Sequence, residues 1–402
     1  MNAPNALGVR GTRTVTPVSY RARRWARTQL FSSPANTALT VVAVTFLAFV
    51  LYTMLKFVFV DADWTIININ RRLIFLGRFP QSEEWRIWPP MWLAMGLGGL
   101  SYGLLSRGSL RDLVWLAAAV VFILGFLAHG MNGLLFGGAV MFSIAGYGAG
   151  RLAGNRPQLR PRLGTVAIVG WLLIIPFTVI LITAFGGVKP ALWGGLLLNV
   201  LLAVIGIGVG LPLGILLALS RASSLPVLKG VSTAIIEVTR GGPLIAWLFI
   251  ARFVLPAFIP DALQTDVIVN AMIILSLFTA AYVAEIVRGG LQSIDKGQVE
   301  AAHALGMGAF HVTFFIVLPQ AIRAVIPALV SQMIALWKDT TLFAVLGFTD
   351  ALGGAQAAYS QSEFIGRQKE ALLFIALLFW SVSFGMSRLS QRVEKALGLG
   401  ER

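Results

Sequence analysis

The chain has no cysteine, which excludes disulfides, thiolate metal sites and cysteine nucleophiles. Charge is scarce too: only 12% of its 402 residues are Asp, Glu, Lys or Arg, about half the share of an ordinary soluble domain. A cytosolic globular enzyme and a disordered chain are both excluded on that ground. The dipeptide Gly-Lys does not occur, so there is no G-x-x-x-x-G-K-[ST] loop to cradle ATP. Acidic residues are the scarcer charge, 17 against 32 basic, a formal +15 that in a soluble protein would point to nucleic acid. A secretory signal is not expected either, because the first apolar run begins near residue 38 and is long enough to span a bilayer.

What is abundant is apolar surface. Hydrophobic residues make up 57% of the chain, which also holds 42 Gly and 26 Phe, and the mean hydropathy is +0.81. Lipid is therefore the solvent for most of it, and the expected fold is all-α and polytopic. Runs near the spanning length predict about ten transmembrane helices: 38–60, 90–106, 113–128, 132–149, 164–185, 192–219, 231–256, 266–288, 325–347 and 370–388. The third and fourth are short enough to form a re-entrant hairpin instead. An even count puts both termini on one side. With that side inside, 21 cations fall in cytoplasmic segments and 7 outside, so both ends are predicted to be cytoplasmic. The basic excess thereby becomes a topological signal, and a nucleic-acid partner is not expected.

Three regions follow: a cytoplasmic tail over 1–37, a first membrane region over 38–190 with an external loop at 61–89, and a second over 191–402. The second carries a long amphipathic cytoplasmic loop at 289–324. No internal repeat links the halves, which argues against a transporter built from inverted repeats.

That loop holds the chemistry-bearing motif. It reads Glu300-Ala301-Ala302, then Gly306, then Ile316 and Leu318-Pro319, at fixed spacing. Glu300, Ala301, Ala302 and Leu305 start a short helix whose small residues let another protein approach the backbone closely. Gly306 permits the turn, and Pro319 is expected to end the second helical stretch before the next span. A rigid lever on the cytoplasmic face suits a separate motor. A plain interfacial amphipathic helix would explain His303, His311 and Phe314 but not the spacing.

The spacing resembles the EAA loop of importer permeases in the ABC transporter superfamily. The stretches Glu237 to Leu244 (EVTRGGPL), Ala281 to Gly290 (AYVAEIVRGG) and Lys338 to Leu342 (KDTTL) resemble the polar amino-acid permeases of the histidine, glutamine and arginine type. Gly242 and Thr341 depart from the residues commoner there. In the first half, Trp64-Thr65-Ile66-Ile67, Gly77-Arg78-Phe79-Pro80 and Glu84-Trp85-Arg86 resemble the extended branch, the permeases of general L-amino-acid and of acidic and neutral amino-acid importers. The resemblance implies a type I ABC importer permease core at 191–402, in the bacterial inner membrane. It implies partners as well: a second, unlike permease that completes the pore, two cytoplasmic ATP-binding subunits that hold ATP and Mg, and an external amino-acid-binding protein. The chain itself would hold no cofactor or metal and catalyse nothing. One EAA loop offers one dock, whereas two nucleotide-binding domains are needed to sandwich ATP, so a second permease is required on mechanical grounds too.

Polar groups at membrane depth are the remaining candidates. Glu237 and Arg240, one turn apart and expected to form a buried ion pair, precede Gly241-Gly242-Pro243, which breaks helical hydrogen bonding. Lys338 and Asp339 have Thr340, Thr341 and Gln332 nearby. Either group could pair with a zwitterionic amino acid or simply lock helices together. Tyr282 lies in the second of the matching stretches, while Glu285 and Arg288, at a cytoplasmic span end, fit a gate or lever anchor. Gly206, Gly210 and Gly214 form two small-x-x-x-small steps for a close helix crossing, within the chain or with the second permease. An ion-coupled secondary transporter is the alternative reading, and a membrane scaffold that carries nothing is a further one. Both leave the loop spacing unexplained.

Overall fold

The computed structural model describes residues 25–105, 133–154, 156, 158–260, 264–396 and 398. Among these the chain is helical, with a single isolated bridge between Gly195 and Asp350. Two units separate, Met1–Asp63 and Trp64–Arg402.

The first unit contains α1 (Pro34–Lys56), which begins where the Ser33 hydroxyl accepts from the Asn36 amide at 3.1 Å and Pro34 supplies a preset first-turn φ. No residue of α1 is buried. A helix apolar on all sides and uncovered by protein belongs in lipid. Its end is marked by Lys56, 3.7 Å from Asp61.

The second unit is a bundle. Its helices are α2 (Thr65–Leu76), α3 (Trp88–Leu105), α4 (Gly133–Gly154), α5 (Leu159–Thr183), α6 (Gly195–Ala222), α7 (Pro226–Gly241), α8 (Leu244–Phe249), α9 (Val267–Gln292), α10 (Lys296–Ala304), α11 (Leu318–Asp339), α12 (Ala351–Tyr359) and α13 (Gln368–Ala396). Among the described residues, six helices are long and apolar enough to cross a membrane, and the bent pair formed by α7 with the segment Leu244–Phe258 raises the number to seven. The expected ten is not confirmed among the described residues. The candidate 113–128 lies outside the described residues. The fourth candidate, 132–149, overlaps the 22-residue α4 from Gly133 onward.

α3 and α4 pack through glycines. A Cβ at Gly99 would stand 2.2 Å from the Ser143 carbonyl, at Gly103 2.6 Å from that of Tyr147, and at Gly146 2.1 Å from that of Gly96. Contacts that rise together in number show that the two helices run parallel. In lipid there is no hydrophobic drive between helices, and such backbone proximity supplies the packing instead.

Three expectations are corrected by the structure. The 61–89 loop is folded: α2 buries Ile66, Ile67, Asn70, Ile74, Phe75 and Leu76 on one face, and a 3-10 turn follows at Gln81–Ile87. The apolar spacing is helical there but too short to stand out from a sequence of membrane spans. The expected single span at 231–256 bends by 101° between α7 and α8, because Gly242 and Pro243 take extended angles and Pro243 has no amide to donate. Pro319 does not end a helix. It sits in the first turn of α11, within a helical run from Ala309 to Val345, directly after a π-helical stretch at Val312–Val317. Within that run the missing Pro319 amide interrupts the regular bonding pattern, and the π-helical stretch just before it takes up the irregularity, so the run continues.

The helix α9 forms the bundle axis, with fourteen buried residues. The glycine stripe of α6 lies on it: a Cβ at Gly210 would stand 2.7 Å from the Thr279 Cβ, and at Gly214 2.6 Å from that of Val283, while Gly206 faces Leu275 and Leu336. This crossing lies within the chain. Of two buried clusters, one joins α2, α6, α9, α12 and α13 around Ile66, Phe75, Leu198, Leu275 and Phe343. A smaller one, around Leu217, Ile236, Val283 and Leu329, occupies the other end of α6 and α9.

Candidate functional site

The motif loop forms a short helix, a turn at Gly306 and the start of the next helical run. The Asp295 carboxylate accepts from the Gly297 amide at 2.8 Å and so caps α10. Ala302 is buried, and its carbonyl accepts from the Met307 amide at 3.1 Å. Gly306 turns the chain at φ +80°, with open space where a Cβ would project. Glu300, Ala301 and Leu305 point outward, Leu305 being 83% exposed. Ile316 and Leu318 are half-buried and Pro319 is exposed at the base of α11. The Gln320 side chain donates to Gln298 at 2.7 Å and to the Ile316 carbonyl at 2.8 Å, tying α10 to the start of α11. Beside α10 stand exposed aromatics, with Phe310 and Phe314 rings 4.5 Å apart and His311 stacked on Phe315 at 5.8 Å.

An ion cluster joins α6, α7 and α9. Glu285 accepts from Arg288 at 2.8 Å and from Arg221 at 2.7 Å, and Arg240 approaches to 3.5 Å. Arg221 also donates to Glu237 at 2.8 Å. The expected pairing of Glu237 with Arg240 is therefore replaced: each reaches across to another helix instead. Arg240 lies 5.4 Å from the Tyr282 ring centroid. Arg221 was not among the sequence candidates, since it sits in a charged span end that reads as ordinary topology. Gly241, Gly242 and Pro243 form the bend beside this cluster, where the Trp247 indole packs on Gly242 and donates to the Thr239 carbonyl at 3.0 Å.

The second polar group lies at the other end of α11. Thr340 is buried while Lys338 is exposed and Asp339 and Thr341 are half-buried, so the residues flanking Thr340 face a different side. Thr340 donates to the Trp337 carbonyl at 2.7 Å and accepts from Asn199 at 3.0 Å. Asn199 also donates to Asp350 at 3.0 Å and accepts from the Ala351 amide at 2.9 Å. Asp350 in turn accepts from the Gly353 amide at 2.8 Å, capping α12. Asn199, Thr340 and Asp350 are all fully buried. Burial pushes the Asp350 carboxyl up to about 6, against the opposing hydrogen bonds from Asn199 and Gly353. Neither Asn199 nor Asp350 was legible as a site residue, because a lone Asn in an apolar run and a helix-capping Asp have ordinary explanations. Gln332 is half-buried on α11. Among the described residues no hydrogen bond or ion pair joins this group to the ion cluster.

An α-helical bundle of membrane spans, with an exposed lever helix and charges held between spans, defines a transport permease. The family model described as "Binding-protein-dependent transport system inner membrane component" matches residues 210–398. The Escherichia coli (strain K12) inner membrane amino-acid ABC transporter permease YhdY is 34% identical over 397 residues, 95% of each chain. BztC of Rhodobacter capsulatus, a glutamate/glutamine/aspartate/asparagine transport system permease, is 32% identical over 425 residues, again 95% of each. A crystal structure of an amino acid ABC transporter with histidines matches at 31% identity and a TM-score of 0.46, covering 50% of this chain and 91% of that one. The chain belongs to the amino-acid permeases of ABC transporters. It is a multi-pass inner-membrane permease subunit of an amino-acid import system.

Proposed function

We propose that this subunit forms half of a translocation pore with a second, unlike permease, and that α10 is the dock for one of two cytoplasmic ATP-binding subunits. The observation that carries this reading is the lever itself: Glu300, Ala301 and Leu305 are presented outward on a helix whose other face is pinned by Ala302 and by the Gln298–Gln320 bond. ATP and Mg belong to the partners. With both termini cytoplasmic, closure of the two ATPase subunits would draw the paired levers together. The motion passes from α10 into α11, which also packs on α9 where Gly290 meets the Ala321 carbonyl. Hydrolysis then resets the pore.

Amino acids are the cargo, delivered by an external binding protein. The Rhodobacter relative is named for glutamate, glutamine, aspartate and asparagine, so these are the first set to test. The bend at Gly241–Pro243 with Tyr282, and the group at Gln332, Lys338, Asp339 and Thr341, supply polar positions on the path, while Glu285 and Arg288 gate its cytoplasmic end. The decisive experiment is Glu300→Lys in the assembled transporter. The variant is expected to insert in the membrane normally yet lose co-purification with the ATPase and substrate-stimulated hydrolysis. Normal coupling in both assays refutes the dock, and uptake that follows a proton or sodium gradient without any ATPase refutes the ATP-driven reading.

A further inference from the structure

The buried group around Asn199 spans three segments distant in sequence. Its amide occupies all the hydrogen bonds drawn above: the Nδ2 group serves both the Thr340 hydroxyl and the Asp350 carboxyl, and Oδ1 takes the Ala351 amide. The backbone repeats the connection nearby, where the Gly195 amide donates to the Thr349 carbonyl at 2.6 Å. The first turns of α6 and α12 are thus fastened to each other, and Thr340 is the point at which the end of α11 is fastened to both.

We infer that Asn199 is a positioning residue for transport: through Thr340 it fixes the direction in which Lys338 and Asp339 face, with Asp350 holding Asn199 in place. This rests on the pathway role proposed above for Lys338 and Asp339. Thr340 needs only one bond to its own helix, the one to the Trp337 carbonyl, and the second bond to Asn199 is what sets the rotation of the helix end. Because a buried amide left without partners carries its full desolvation cost, the arrangement is held in one state rather than averaged over several.

The absence of native cysteine makes the direct test clean. Asp339→Cys supplies a sole thiol, and its rate of reaction with N-ethylmaleimide in membranes reads how the end of α11 is presented. Added Asn199→Ala is expected to raise that rate about tenfold. Thr340→Val, which removes the hydroxyl at nearly constant volume, is expected to raise it several-fold, while Thr340→Ser, which keeps the hydroxyl, leaves it unchanged. Rates within twofold of the parent for both Asn199→Ala and Thr340→Val overturn the inference. If Asn199→Ala fails to accumulate, the Val against Ser comparison decides alone.

In the assembled transporter with native Asp339, Thr340→Val is expected to lower turnover several-fold at unchanged subunit stoichiometry and basal ATP hydrolysis, and Thr340→Ser to restore it. A loss of assembled complex in proportion to lost uptake, with no change per complex, marks a merely structural role and overturns the positioning claim. The labelling assay needs no ATPase, so it stands if the ABC coupling assignment fails. A parent transporter that shows no ATP-dependent uptake indicts that assignment, whereas a working parent with indifferent Thr340 variants indicts this one.

Discussion

The two ends of α6 and α9 are tied in opposite ways. At the α2 end the ties are buried and mostly neutral: Asn199, Thr340 and Asp350 are fully enclosed, and Gly77, Gly194 and Gly195 bring backbones into direct contact. At the other end five charged side chains share the work, with Glu285 and Arg221 17% and 22% exposed and Arg240, Arg288 and Glu237 more so. Hydrated ion pairs have several near-equal partners to trade, and each contributes little alone. A buried amide network has one satisfied arrangement and a high cost for any other. The first end is built as a fixed block and the second as a joint, which places the compliant element beside the lever that α10 provides.

The strongest challenge to that comparison uses backbone geometry. Gly195 has φ +59°, and a Cβ there would lie 2.3 Å from the Phe75 carbonyl carbon. Gly195→Ala must therefore push α2 off α6, and with it Ile66, Ile67, Ile74 and Phe75, each worth about 1.5–3 kcal/mol of burial. A loss of at least about 4 kcal/mol is expected, seen as failure to accumulate or as heat-induced aggregation at a sharply lower temperature. Wild-type thermal stability would mean that the block is not rigid.

Next in size is the Asp350 titration. Asp350 lies outside the long apolar helices, between Val345 and Gln368. Its carboxyl, at about 6 in the folded state, is raised above its unfolded value of 3.8. The folded state thus binds more protons than the unfolded one between those values, so stability is fullest below about pH 3.8 and falls as pH rises through about 6, by up to about 3 kcal/mol. Asp350→Asn is expected to flatten that part of the profile of melting temperature against pH. An identical slope in the variant would remove Asp350 from the account.

Glu285→Ala comes third, at about 2 kcal/mol, because it leaves three arginines without their shared acceptor but in partial contact with water. Its signature is screening. The gap between wild type and variant should narrow in 1 M salt, whereas the Gly195→Ala deficit should not. A salt-independent gap would mean that the second end is as closed as the first.

The sequence showed this division only in part. Apolar run length made the membrane spans legible because lipid imposes it residue by residue. The lever was legible because Glu300, its small neighbours Ala301 and Ala302, and Gly306 are local in sequence. α2 was hidden since its burial depends on α6 and α12, more than a hundred residues away. Asn199 and Asp350 were hidden for the same reason, 151 positions apart and recognisable only as a pair. The Glu237–Arg240 pairing failed because helical neighbours at i and i+3 are a default that Arg221 on α6 and Glu285 on α9 override.

The smallest expected effect separates backbone strain from packing. Gly306 has φ +80°, as unfavourable for a side chain as the angle at Gly195, yet nothing lies within 4 Å of an added Cβ. Gly306→Ala therefore meets only the left-handed conformational cost, about 1–2 kcal/mol. Because α10 is nine residues long and exposed, that cost is expected to fray the lever locally rather than lower the melting temperature of the bundle. Faster amide exchange confined to 296–308, with protection in α9 and α11 intact, is the outcome that fits. Exchange that also rises at the α2 end would show that the joint and the block unfold as one unit, and the contrast between them would then be one of appearance only.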